Sequence, residues 1–319
     1  MTRASWVIRS IGSIAALGVA SAAFTAWTAR RVEAQVPPQG RFVDVDGARL
    51  HVVEKGEGPV IILLHGLGGA LQHFTYSLFD HLSHEYRLVA IDRPGAGYST
   101  RRGDEAAALG RQAQAISSFI CQEGIESPLI VGHSLGGTLA LKLALDHAEC
   151  VGGLALLAPL TRKQQIPASF QPMATESATL RRVMAWTLAT PMGLAMGETM
   201  LNRAFSPQRP PGDFAERGGG LLALRPSHSY TSSLDLVAVN HALPAMTQRY
   251  GELAMPVGVL YGTDDNLLDP DDNLFPLTSQ LVQLDKEVVS GAGHMLPLTH
   301  PGRTAAFIRR MTAAISPLP

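Results

Sequence analysis

The sequence predicts an α/β fold, a mostly parallel β-sheet covered by helices on both faces. Three observations carry that expectation. Short apolar runs of the fully buried type recur at VIILLHG (60–66), RLVAID (87–92), PLIVGH (128–133), GGLALLA (152–158) and PVGVLYG (256–262). Segments of helical length separate most of them, the alternation that builds a sheet covered on both sides. With 319 residues, 46% hydrophobic and 17% charged, the chain can bury a substantial core, as one domain carrying an insertion.

The first 40 residues stand apart. Residues 1–9 form a basic segment with Arg3 and Arg9, and Ser10 to Ala29 then runs 20 residues without a charge up to Arg30-Arg31. As a helix that stretch would reach roughly 30 Å, the thickness of a bilayer's hydrocarbon, so 10–29 is expected to be a membrane anchor helix. A cleaved signal peptide is the competing reading, since Ala20-Ser21-Ala22 resembles a small-residue cleavage site. Against cleavage, the run continues past that site, Trp27 stands where an interfacial aromatic would, and a basic pair closes the far end. A buried soluble helix fits less well, because no side of it is polar. Basic residues flank both ends and leave the orientation undecided. The expectation is a bacterial-type inner-membrane protein with a periplasmic catalytic domain, or a secreted one if the segment is cleaved. Residues 30–40, with Pro37, Pro38 and Gly40, are expected to be a short stiff linker.

The body begins at residue 41. RFVDVDGARLHVVEKG alternates apolar and polar residues around Asp46-Gly47, the dipeptide of a two-residue hairpin turn, and predicts two antiparallel strands. Helical spacing predicts helices over 104–122, 135–147 and 301–314, the last behind Pro301. Between 160 and 251 the rhythm fails. Methionine-bearing sequence such as RRVMAWTLATPMGLAMGETMLNRAF predicts a helical cap over a core made of 41–159 and 252–319. Met184, Trp186, Met192, Met196 and Met200 supply adaptable apolar surface, suited to an acyl chain or simply to packing.

Composition removes several classes of function. The formal net charge is −1 and no basic run exceeds an Arg-Arg pair, so no nucleic-acid footprint is present. Cys121 and Cys150 are too few for a disulfide framework and lack zinc spacing, and no histidines pair at metal spacing. No metal or organic cofactor is expected, and the oligomeric state is not readable.

The chemistry centres on VGHSLGG, 131–137. Gly132-His133-Ser134-Leu135-Gly136 is a G-x-S-x-G that follows a buried-type strand and opens a helix, the context of a nucleophile elbow. The turn forces the serine into a strained backbone, and glycines on either side let neighbouring chain pass close. Alone the motif is a weak signal; its placement strengthens it.

Several further segments occur in a meaningful order: HGLGG (65–69), DRPGAGYS (92–99), GHSLGG, YGTDD (261–265) and GAGHMLPLTHP (291–301). From about residue 41 onward the chain resembles the α/β-hydrolase superfamily. The resemblance implies that HGLGG is the oxyanion loop, that YGTDD carries the acid and that GAGHMLPLTHP carries the histidine, in the order Ser, Asp, His. It implies Ser134 as nucleophile and His294 as general base. Asp264, Asp265 and Asp269 crowd one loop, and aligning Gly262 with the glycine of Gly-x-x-Asp selects Asp265. The oxyanion donors it implies are the backbone N–H groups of Leu67 and Leu135. Gly66 lets the loop curl close to substrate, and His65 and His133 are expected to line or pack the site. The remaining histidines, His51 and His73 among them, are assigned strand-face or polar surface positions.

The expected function is hydrolysis of carboxylic esters, lipid-like ones if an anchored protein meets acyl substrates. The same scaffold also serves C–C bond hydrolases and cofactor-free perhydrolases, and a non-catalytic binding protein of this fold is the alternative of another class. Haloalkane dehalogenases and epoxide hydrolases are disfavoured, because they need a carboxylate where Ser134 stands.

Overall fold

The structure is a computed structural model that describes residues 3–166 and 171–315, with the side chains of 3–12, 14 and 172 left aside. A long helix, α1 (Arg3–Gln35), precedes the hairpin β1 (Arg41–Val45) and β2 (Ala48–Lys55). Then come β3 (Val60–Leu64), the short helices α2 (Gln72–Thr75) and α3 (Leu78–Leu82), β4 (Arg87–Ile91) and β5 (Thr100–Arg101). Next follow α4 (Leu109–Gln122), β6 (Leu129–His133), α5 (Leu135–Asp146) and β7 (Gly153–Leu157). A helical insertion holds α6 (Ala178–Thr187), α7 (Ala189–Phe205), α8 (Phe214–Arg217) and α9 (Pro226–Thr247). The chain closes with β8 (Val257–Gly262), α10 (Pro270–Thr278), β9 (Leu284–Val289), α11 (Leu296–Thr299) and α12 (Pro301–Ala313).

Among the described residues the strands form one sheet in the order β1-β2-β4-β3-β6-β7-β8-β9, with β5 paired to β2. The first hairpin is antiparallel, with Val45 opposite Ala48 around Gly47 at φ +75°. From β4 to β9 neighbouring strands are parallel. Ile61–Leu64, Leu88–Ile91 and Leu154–Leu157 are inaccessible to solvent, because helices cover both faces of the central strands. All five apolar runs became strands. β9 carries no such run: LDKEVV alternates half-buried and exposed residues at the sheet edge, where only one face meets the core.

The membrane anchor expected over 10–29 is corrected. Among the described residues no helix is long and apolar enough to cross a membrane. The side chains of 10–12 and 14 lie outside those described. The later part of α1 packs on protein. Ser21 Oγ donates to the Thr187 carbonyl of the insertion, Thr25 and Thr28 are buried, and Val32 and Val36 cluster with Ala70 and Leu222. An uncharged run of alanine, serine and threonine thus supplies a surface that seats against neighbouring helices, and absence of charge was not by itself a lipid signal. The membrane-anchored location falls with the anchor. The helix also runs on to Gln35, through the first half of the expected linker.

A tight backbone approach lies beneath the start of α5. A Cβ built on Gly136 would stand 2.0 Å from the Leu64 carbonyl oxygen and 2.6 Å from that of His65, both fixed backbone. At Gly258 a Cβ would meet only the side chain of Met311, its sulfur at 2.3 Å. Gly136→Ala is therefore expected to cost more than about 3 kcal/mol and Gly258→Ala about 1–2 kcal/mol, since a methionine can change rotamer. Urea unfolding of both variants checks the ranking, and equal costs would contradict it.

Candidate active site

Between β6 and α5 a single residue, Ser134, makes the turn. It holds φ 54° and ψ −120°, a conformation that costs a non-glycine residue of order 1–3 kcal/mol. The surroundings enforce it. The Ser134 N–H donates to Leu157 O at 2.9 Å, Leu160 N–H donates to Ser134 O at 3.2 Å, and a Cβ on Gly132 would meet Gly136 O at 2.5 Å. The serine stays partly accessible, at the carboxyl edge of the parallel strands where a ligand crevice forms.

The loops after β8 and β9 reach the same edge. His294 Nδ1 donates to Asp265 Oδ2 at 2.7 Å, and Asp265 Oδ1 accepts the N–H groups of Leu267 and Leu268, both at 2.9 Å. The carboxylate is thereby fixed at both oxygens, and the ring's Nε2 is left free to accept a proton. The His294 ring lies 4.8 Å from that of His133, centroid to centroid, which brings it beside the residue preceding the serine. Asp264 instead bonds Thr263, and Asp269 caps α10 by accepting from Asp272 N–H at 2.9 Å. Of the three carboxylates in that loop, Asp265 is the one on the histidine.

The loop after β3 passes against the serine. A Cβ on Gly66 would stand 3.0 Å from Ser134 Cβ, so this loop's backbone comes as close as glycine allows. Leu135 is the first residue of α5, and its N–H has no intrahelical acceptor. The N–H of Leu67 belongs to the peptide after Gly66, whose carbonyl accepts from His65 Nδ1 at 2.9 Å, Arg93 Nη2 at 3.2 Å and Gly69 N at 3.3 Å.

His65 and His133 hold loops and do not line a cleft. His65 is inaccessible: its Nε2 accepts the Arg93 N–H at 3.1 Å, so Nδ1 carries the proton given to Gly66 O. Burial, and next the Arg93 cation, push its pKa well below the usual imidazole value and keep it neutral. His133 Nε2 donates to the His294 carbonyl at 3.0 Å, tying the histidine loop to the elbow, and burial pushes its pKa far down too. Trp186, Met192, Met196 and Met200 are 39–51% exposed and Met184 is half-buried, so little protein covers the first four. A helix apolar on several sides cannot reveal from its sequence which side turns inward.

Several residues at the site carried no sequence signal or were assigned elsewhere. Asp92 is inaccessible and accepts from Leu71 N–H at 2.7 Å, Tyr98 N–H at 2.8 Å and His51 Nδ1 at 2.7 Å, so His51 is a buried partner of that turn. Arg93, inside the quoted DRPGAGYS, reaches Asp235 of α9 at 2.9 Å. His73, expected on a polar surface, is buried against Phe214, 5.6 Å between ring centroids. Among the described residues no group of three or more metal-ligating side chains comes together.

Comparison with known proteins agrees with this fold. The family model described as alpha/beta hydrolase fold matches residues 59–301. The dihydrolipoyllysine-residue acetyltransferase component of the acetoin cleaving system of Cupriavidus necator is 38% identical over 121 residues, covering 38% of this chain and only 32% of that protein. The 2-hydroxy-6-oxo-6-(2'-aminophenyl)hexa-2,4-dienoic acid hydrolase of Metapseudomonas resinovorans is 23% identical over 278 residues, 85% of this chain and 91% of that one. Among solved structures, a thermophilic esterase from Thermogutta terrifontis superposes with a TM-score of 0.70 at 20% identity, covering 87% of this chain and all of that one.

His73 gives the site a pH dependence of stability. Burial lowers its pKa to about 4, and its Nδ1 has no hydrogen-bond partner among the described residues. The unfolded chain, with an ordinary imidazole, takes up the proton first. The contribution is therefore complete above pH 6.5 and is lost as the pH falls toward 4. Stability is expected to drop by about 1–2 kcal/mol between pH 7 and pH 5 on account of this residue. In His73→Gln the drop shrinks by that amount; denaturant midpoints at the two pH values measure it, and an unchanged slope would contradict the assignment.

Proposed function

The chain belongs to the α/β-hydrolase fold family, and from that membership we propose that it is a serine hydrolase that cleaves carboxylic esters through an acyl-enzyme on Ser134. One observation carries the reading: Ser134 sits on a strained, glycine-flanked turn whose preceding residue, His133, is bonded to the His294 carbonyl at 3.0 Å, and His294 Nδ1 is bonded to the buried carboxylate of Asp265 at 2.7 Å. In the proposed reaction Ser134 Oγ attacks the ester carbonyl carbon while His294 Nε2 takes its proton. Asp265 holds the ring's tautomer and offsets the imidazolium. The carbonyl oxygen, now negative, lies against the N–H groups of Leu67 and Leu135. Collapse expels the alcohol with the proton returned from His294. Water then attacks the acyl-enzyme by the same route and releases the acid.

The substrate is proposed at the level of a small carboxylic ester. The preference for lipid-like esters had rested on an anchor and a methionine-lined cap. With the later part of α1 seated on protein, the anchor no longer supports it, and the exposed Trp186, Met192 and Met196 by themselves do not select a lipid. A second reading, C–C bond hydrolysis of a diketone acid on the same residues, is favoured by the relative whose name states a hexadienoic acid substrate and whose match spans 85% of this chain.

Ser134→Ala is expected to lose labelling by a fluorophosphonate probe and to lower p-nitrophenyl ester turnover at least about 10³-fold, with Asp265→Asn lowering kcat by about 10³–10⁴-fold. Undiminished turnover by Ser134→Ala would end the proposal. A ring-fission diketone acid run beside the ester panel decides between the two chemistries, and a wild-type chain that takes no label would point to a non-catalytic protein.

A further inference from the structure

We propose that Arg93 and Asp235 are positioning residues through which the helical insertion fixes the Gly66–Leu67 peptide, the one whose N–H serves as oxyanion donor in the reading above, on which this inference rests. A peptide unit is planar, with its C=O and N–H pointing in opposite directions. Whatever grips the Gly66 carbonyl therefore aims the Leu67 N–H. Arg93 grips it with a cation: Nη2 donates to Gly66 O at 3.2 Å and Nε to His65 O at 2.8 Å, while its backbone N–H sets the tautomer that lets His65 donate to Gly66 O as well. Hydrogen bonds from a guanidinium also draw electron density from the amide, which makes the opposite N–H a stronger donor.

The guanidinium is itself held from the insertion. Arg93 Nη1 donates to Asp235 Oδ2 at 2.9 Å, and Arg101 Nη1 to Asp235 Oδ1 at 2.6 Å, with all three side chains at most 4% exposed. Gln112 adds contacts to both Arg93 and Asp235 at 3.3 Å. Two cations on one carboxylate, away from water, bring little net stability, because desolvation offsets much of the attraction. Geometry is what such an arrangement supplies. Asp235 lies on α9, in the segment between β7 and β8, so the donor's aim is set by an element outside the sheet that bears the serine.

The full-length chain carries the test. Arg93→Met and Asp235→Asn are compared with wild type for p-nitrophenyl ester turnover and for affinity toward a trifluoromethyl ketone, whose serine adduct bears the same oxyanion. Arg93→Met is expected to lower kcat about 10²-fold with KM changed less than about threefold, and to weaken ketone binding in parallel with kcat/KM. Asp235→Asn shows a smaller loss of the same kind, and the double variant is no worse than Arg93→Met alone. Arg93→Lys keeps the charge without the fork; it is expected to recover part of kcat, and it stands in should Arg93→Met not fold. Wild-type kcat in either Arg93 variant, a rise confined to KM, or additive losses in the double variant would overturn the inference. The nucleophile assignment is judged separately, by wild type against Ser134→Ala, so its failure cannot be mistaken for this one.

Discussion

The architecture depends on a close backbone crossing: the start of α5 passes over the end of β3 so tightly that no side chain fits at Gly136, where Leu64 O would lie 2.0 Å from a Cβ. That approach forces the single-residue turn. With β6 ending at His133 and α5 beginning at Leu135, Ser134 has only the strained φ of 54° in which to join them. The same crossing brings Gly66 against the serine's Cβ, so the Ser134 turn and the approach of the loop after β3 are products of one packing constraint. Strain at Ser134 is sustained because hydrogen bonds from its own N–H and to its own carbonyl hold both flanking peptides.

Around that crossing, buried imidazoles act as fixed connectors. His65 joins the Arg93 backbone to the Gly66 carbonyl, His133 joins the elbow to the His294 loop, and His51 joins the first hairpin to Asp92. Each ring accepts or donates to a backbone group or a carboxylate, which decides its tautomer. His65 and His133 are pushed far down in pKa by burial, so near neutral pH they carry no charge. Asp92 has the complementary role of gathering donors from the turn after β4, the loop after β3 and β2.

Much of this was legible in the residues. Five apolar runs located five parallel strands, and Asp46-Gly47 located the hairpin, because a strand buried on both faces and a two-residue turn leave short-range patterns. The glycines of GHSLG and the Gly-x-x-Asp spacing pointed to Ser134 and Asp265, since each needs a local backbone shape. Where the pattern is not local, it misled. The edge strand β9, with Asp285, Lys286 and Glu287, looks like surface because only one of its faces is covered. The uncharged run in α1 looked like a lipid-facing helix, yet Thr25 and Thr28 are covered by protein. His73 looked polar and is enclosed beside Phe214.

The sequence by itself determined the central strands, the helices between most of them and the elbow turn. Those follow from periodicity and from backbone shapes that only certain residues adopt. Only the tertiary structure decided where α1 rests, which residues of the insertion are covered, and that Asp235 reaches Arg93 across 142 positions of chain. The physical reason is range. Propensity and turn chemistry act over a few residues, whereas ion pairs, orphaned imidazoles and shared apolar faces acquire partners only when distant segments are packed together.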